Sequence, residues 1–96
     1  MTRILFVDDE ARILSGLRQS LRGKRKVWDM VFEESGAAAL EAMQHASFDI
    51  IISDMRMPAM DGAELLARAA FLQPHAARIV LSGQMDDWCA TRAATV

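Results

Sequence analysis

Ile4-Leu5-Phe6-Val7-Asp8-Asp9-Glu10 is the stretch whose reading decides the fold. Four apolar residues run without alternation and stop at three carboxylates. An unbroken apolar run of this length suits a strand buried on both faces, as in a parallel sheet. Immediately downstream, Glu10 to Arg22 sets Ile13, Leu14, Leu17 and Leu21 on one helical stripe, with Arg12, Arg18, Gln19 and Arg22 largely off it. Gly23 and Lys24-Arg25-Lys26 close that helix, placing cations near its negative end. Val27 to Phe32 then alternates like a second strand.

The same alternation of elements continues. Ser35 is a good N-cap for a helix built on Ala37-Ala38-Ala39-Leu40, Ala42 and Met43, mostly strong helix formers. Phe48 to Ser53 reads as a third strand around the β-branched run Ile50-Ile51-Ile52. Asp54 to Met60 contains Pro58 and reads as a loop. Asp61 caps a third helix carrying Leu65, Leu66, Ala69 and Ala70, which stops before Pro74. Ala77 to Leu81 is a fourth strand, Ser82-Gly83 a turn, and Met85 onward a fourth helix. The order βαβαβαβα predicts one α/β domain over residues 1–96, with a parallel sheet covered by helices on both faces.

Composition narrows the function. The 96 residues hold 11 Lys and Arg against 13 Asp and Glu, a net charge of −2, which gives no overall basic footprint for nucleic acid. With 52% hydrophobic and 25% charged residues the chain is too apolar to be disordered. The single cysteine, Cys89, excludes a disulfide framework and a thiolate zinc cage, and reads as a small buried hydrophobe. No apolar run has the length of a membrane span, and the first ten residues lack the regions of a signal peptide. The expectation is a soluble, cytoplasmic protein with neither nucleic-acid nor membrane partners. Lys24–Lys26 reads as a solvated loop.

The informative pattern is which residues end which strands: Asp8-Asp9-Glu10 the first, Asp54 the third, Ser82 the fourth. Open α/β sheets bind ligands outside the carboxyl ends of their strands. Carboxylates gathered there repel one another and raise one another's pKa unless a cation sits among them. All-oxygen ligands without His or Cys favour Mg²⁺ over Zn²⁺. The competing reading is helix capping by Asp8 or Asp9, with Asp61 capping its own helix. Capping does not account for two adjacent acids plus Asp54, so a metal or phosphate site is the expectation.

Three segments together resemble the receiver domain of response regulators. These are Ile4-Leu5-Phe6-Val7-Asp8-Asp9-Glu10, Asp54-Met55-Arg56-Met57-Pro58-Ala59-Met60-Asp61-Gly62 and Val80-Leu81-Ser82-Gly83. The resemblance implies a flavodoxin-like (CheY-like) doubly wound sheet of strand order 2-1-3-4. It implies that Asp54 is the phosphoacceptor and that Asp9, Asp54 and the backbone carbonyl of Arg56 bind Mg²⁺, with Asp8 acting through a water. Ser82 would hydrogen-bond a phosphoryl oxygen as the switch residue, and Met57, Pro58, Asp61 and Gly62 would shape the loop and start the third helix. The implied partners are a histidine kinase or histidine phosphotransfer protein, and an output domain beyond Val96 or a separate target. The implied role is a switch rather than an enzyme, at most assisting its own phosphorylation and dephosphorylation.

One part of the family pattern is missing. A complete receiver has a fifth strand and helix, and there a lysine that pairs with the phosphoryl group. Lys24 and Lys26 are the only lysines, and both precede the second strand. The chain therefore reads as a C-terminally incomplete receiver, with Ala77–Leu81 left as an open apolar edge through which copies could associate. Two other functions stay open on the sequence. One is a phosphorylation-independent interaction domain. The other is a Mg²⁺-dependent aspartyl phosphohydrolase, though that class usually carries a D-x-D after its first strand, not adjacent Asp8-Asp9.

Overall fold

Within residues 1–81, which the computed structural model describes, each apolar run of the sequence becomes a strand and each amphipathic stretch a helix. The elements are β1 (Thr2–Val7), α1 (Ala11–Ser20), a 3₁₀ turn (Arg22–Lys24), β2 (Trp28–Glu33), α2 (Gly36–His45), β3 (Ile50–Asp54), α3 (Gly62–Leu72) and β4 (Ala77–Leu81). The strands form one parallel sheet in the order β2-β1-β3-β4, as expected. The crossover from β2 past β1 to β3 places β1 and β3 side by side at the centre. The expected turn and helix after Leu81, with Ser82, Met85, Trp88 and Cys89, lie outside the described residues, and so does the test of an open β4 edge. Among the described residues no helix is long and apolar enough to cross a membrane.

The pleat divides each central strand between two cores. Leu5, Val7, Ile51 and Val80 face α2 and α3, joining Leu65, Leu66, Ala69 and Met43. Ile4 and Phe6 face α1, where Leu14 is the buried anchor and Phe32, Ile50 and Ile52 pack around it. Both caps read from sequence are made: Ser35 Oγ accepts from the Ala38 N–H at 3.1 Å and Asp61 Oδ1 from the Glu64 N–H at 2.8 Å. Each satisfies a donor that a helix N-terminus leaves unpaired.

Three details differ from the sequence reading. The helix expected to run to Arg22 stops at Ser20, because Leu21 leaves helical geometry (φ −101°, ψ 5°) and the chain continues as a 3₁₀ turn. Ile13, placed on the buried stripe, is 47% exposed, since Leu14 alone of that stripe reaches full burial. Asp54, assigned to a loop, is the last residue of β3, because the ladder to β4 continues through the pair Asp54↔Leu81.

Gln73, just past α3, ties three segments together. Its Oε1 accepts from the Phe48 N–H at 2.6 Å, and its Nε2 donates to the carbonyls of Met43 at 3.0 Å and Ala46 at 2.7 Å. One side chain thus ends α2 and aims the chain into β3. Gln73→Ala is expected to cost about 2–3 kcal/mol, since it strands three part-buried backbone groups at once. Gln73→Glu keeps the acceptor and loses the donors, so a urea melt should place it between wild type and the alanine variant.

Candidate functional site

Asp8 leaves the carboxyl end of β1, and Asp54 closes the neighbouring β3, one step beyond the register pair Val7↔Ser53. That adjacency brings the three sequence-singled acids together: one carboxylate oxygen each from Asp8, Asp9 and Asp54 lies within 4.8 Å of the other two. Asp8 and Asp54 are half-buried and Asp9 is exposed. Asp61 stays out of this group, occupied at the start of α3.

Capping does not explain the cluster. The N-cap of α1 is Glu10, whose side chain makes no capping bond. Asp8 Oδ1 instead accepts from the Glu10 N–H at 2.9 Å, which folds the Asp8–Glu10 turn without satisfying the first turn of the helix. Asp9 is left with its carboxylate directed to the shared space.

The electrostatics follow from this crowding. Asp54 is raised above the ordinary carboxylate value, first by burial and then by repulsion from Asp8 and Asp9, against the lowering pull of the Met55 and Arg56 backbone N–H groups. Asp8 is raised too, first by burial, with Asp9 and Glu10 adding repulsion and the Glu10 N–H opposing it. Two hard oxygens on opposite sides of a Mg²⁺ lie about 4 Å apart. The cluster is close to that spacing, is all oxygen and carries unbalanced negative charge, so its residues fit a hard divalent cation. Raised folded-state values mean stability that is full below the unfolded carboxylate range and lost as pH rises through the folded values. Without a divalent cation, acidification from neutral pH toward the ordinary carboxylate value should therefore raise the melting temperature, and the rise should shrink in Asp8→Asn. Saturating Mg²⁺ should remove most of the effect, because it supplies at neutral pH what protons supply in acid.

The loop after Asp54 is held tightly. Met57 is buried in the α2–α3 core while Arg56, Pro58 and Ala59 are exposed. Ala59 adopts φ 68°, a left-handed conformation unusual for a residue with a Cβ, and the Met60 N–H closes back on the Pro58 carbonyl at 2.7 Å. The Gly62 N–H donates to the Met55 carbonyl at 2.8 Å. Gly62 is buried so closely that a Cβ there would meet the Asp54 carbonyl oxygen. Met60 packs over Gly36, coupling the loop to the first turn of α2. Beside Asp8 and Asp54 a cavity of about 150 Å³ is walled by Phe6, Ile13, Leu17 and Ile52.

Ser82 lies outside the described residues. Lys24 and Lys26 flank the amino end of β2, the opposite end of the sheet from the acids. The sequence does not announce the close approach at Gly62 or the left-handed Ala59; glycine directly after an N-cap aspartate is the available signal for the first.

The comparisons with known proteins agree with this architecture. The family model described as the response regulator receiver domain matches residues 4–96. A response regulator receiver protein of Anaeromyxobacter sp. (strain Fw109-5) is 34% identical over 87 residues, covering 91% of this chain and 36% of that protein. The chain thus spans little more than a third of that relative. Among solved structures, the signal receiver domain of an HD domain-containing protein from Pseudomonas fluorescens Pf-5 superposes with a TM-score of 0.85 at 31% identity, covering 99% of this chain and 77% of that one. The chemotaxis protein CheY4 of Vibrio cholerae superposes with a TM-score of 0.82 at 26% identity, covering 98% and 80%. With its β2-β1-β3-β4 sheet and a family match over nearly its whole length, this chain belongs to the response regulator receiver domains of two-component signalling.

Proposed function

We propose that this receiver domain accepts a phosphoryl group on Asp54 in a Mg²⁺-dependent reaction, from a histidine kinase or a histidine phosphotransfer protein, and thereby controls an output domain or separate target. The observation that carries the reading is the convergence of the Asp8, Asp9 and Asp54 oxygens within 4.8 Å at the ends of two central strands. An Asp54 carboxylate oxygen attacks phosphorus, the phosphorus–nitrogen bond of the phosphohistidine breaks, and its electron pair returns to the imidazole, which takes a proton from water. Such transfer needs an aligned nucleophile and compensation of charge, and little covalent chemistry from the protein. The Met55 and Arg56 N–H groups orient the Asp54 carboxylate for this role. Asp9, Asp54 and the Arg56 carbonyl would hold Mg²⁺, with Asp8 reaching it through water. The bound ion supplies the positive charge that lets a phosphoryl dianion approach three carboxylates.

The modified Asp54 carries about −1.5 to −2 charges and three new acceptor oxygens. Ser82 donates its hydroxyl to one of them and draws its loop inward, which biases a two-state surface. Met57, Pro58, Asp61 and Gly62 keep the loop and the start of α3 fixed while this happens. The test is incubation with acetyl phosphate, read by intact mass and peptide mapping. One phosphoryl group on Asp54, dependent on Mg²⁺ and abolished by EDTA, is the expected result. Labelling at another residue, or labelling indifferent to EDTA, overturns the reading.

A further inference from the structure

Positive charge is segregated in this chain. Six of its eleven basic residues fall between Arg12 and Lys26, a span without one carboxylate, which leaves five against thirteen acids elsewhere. The fold sets all but Arg12 of these at the far end of α1 and around the 3₁₀ turn, beside β2. Among the described residues none of Arg18, Arg22, Lys24, Arg25 and Lys26 forms an ion pair. Between them and β2 lies a groove of about 540 Å³, walled by Arg18, Arg25, Trp28, Met30, Phe32 and Met1. Asp29, the acid on this wall, is already neutralised by Arg3 at 2.8 Å.

Among the described residues the strand bordering the groove is unpaired on one side, since β2 bonds only to β1. The Asp8 N–H donates to the Glu33 carbonyl at 3.2 Å, so alternation turns the backbone groups of Asp29, Val31 and Glu33 toward β1. Those of Trp28, Met30 and Phe32 point outward into the groove. An exposed row of strand donors and acceptors is a template for another strand.

We propose that this edge binds an acidic peptide in extended conformation, added to the sheet beyond β2, with its carboxylates against Arg18 and Arg25. Charge complementarity selects the occupant. Single-stranded nucleic acid is the weaker candidate because its bases need open aromatic faces. Here Phe32 is stacked on Phe6 at 5.0 Å on one face and covered by the Arg18 guanidinium at 4.6 Å, and Lys24 Nζ lies 5.9 Å over Trp28.

The test uses a fluorescein-labelled peptide of about eight residues alternating Glu and Val, followed by anisotropy and by amide exchange. Expected are saturable binding that weakens with salt, and slowed exchange at the Met30 and Phe32 amides. Arg18→Glu with Arg25→Glu should weaken binding at least about tenfold. The same peptide N-methylated on alternate amides should lose about as much against wild-type protein, a readout that does not depend on how the variant folds. Equal binding of the methylated peptide, unchanged binding by the double variant, or equal affinity for a single-stranded DNA of the same charge each overturns the proposal.

Discussion

Gly62→Ala is expected to destabilise the domain by about 3 kcal/mol, with no gain from the alanine's better helix propensity. The new Cβ would meet backbone, the Asp54 carbonyl oxygen, and approach Asp54 C and Met55 Cα at 3.0 Å. Backbone cannot rotate aside as a flexible side chain can, so the relief must come from moving the start of α3 away from β3. That movement also pulls on the Gly62 N–H bond to Met55 and displaces Asp54. Mg²⁺ affinity should fall together with the urea midpoint. Gly16 provides the opposite control: it lies inside α1 with nothing within 4 Å of its would-be Cβ. Gly16→Ala should stabilise by about 0.5–1 kcal/mol and leave metal affinity alone. Equal effects at the two glycines would refute the steric account.

Asp54→Asn should produce a protein that is more stable without metal and unresponsive to it. The substitution keeps the shape of the side chain and removes a charge that burial disfavours first and that Asp8 and Asp9 then repel. With solvent screening, relief of the two together is worth about 1 kcal/mol at neutral pH. For a domain of this size that corresponds to a melting temperature roughly 4–8 °C higher. The wild type should recover and overtake the variant as Mg²⁺ is added, so the two melting curves cross along a titration. Curves that stay parallel would show that the three acids do not share one ion.

Much of this architecture was legible because it is written in local patterns. The β-branched run Ile50-Ile51-Ile52 favours a strand, and Ser35 and Asp61 announce their helices through the bonds they make three residues on. The convergence of Asp8 and Asp9 with Asp54 follows from their places at strand carboxyl ends, where open α/β sheets bind ligands, and the strand order that the receiver resemblance implies makes β1 and β3 neighbours, as they are. What escaped reading depends on contacts between distant residues. Nothing near Gln73 marks it as the clamp on Phe48, Met43 and Ala46, because those partners lie 25 to 30 positions away. The sequence places the end of β3 one residue short because Asp54 looks like a turn former, whereas the pairing with Leu81 extends the strand through it. The sequence reads Lys24 as solvated, yet its ammonium is drawn over Trp28, a ring that the local sequence does not place beside it.

The uneven distribution of charge also governs how copies of the molecule meet. A net charge of −2 suggests weak mutual repulsion, but among the described residues charge is polarised, negative at the Asp54 end and positive at the 3₁₀-turn end. Six strand residues at about 3.3 Å each separate the poles by roughly 20 Å. In dilute buffer this favours head-to-tail attraction despite the like net charges. At physiological ionic strength the screening length is about 8 Å, the two ends no longer sense each other, and salt acts as a solubiliser rather than a precipitant.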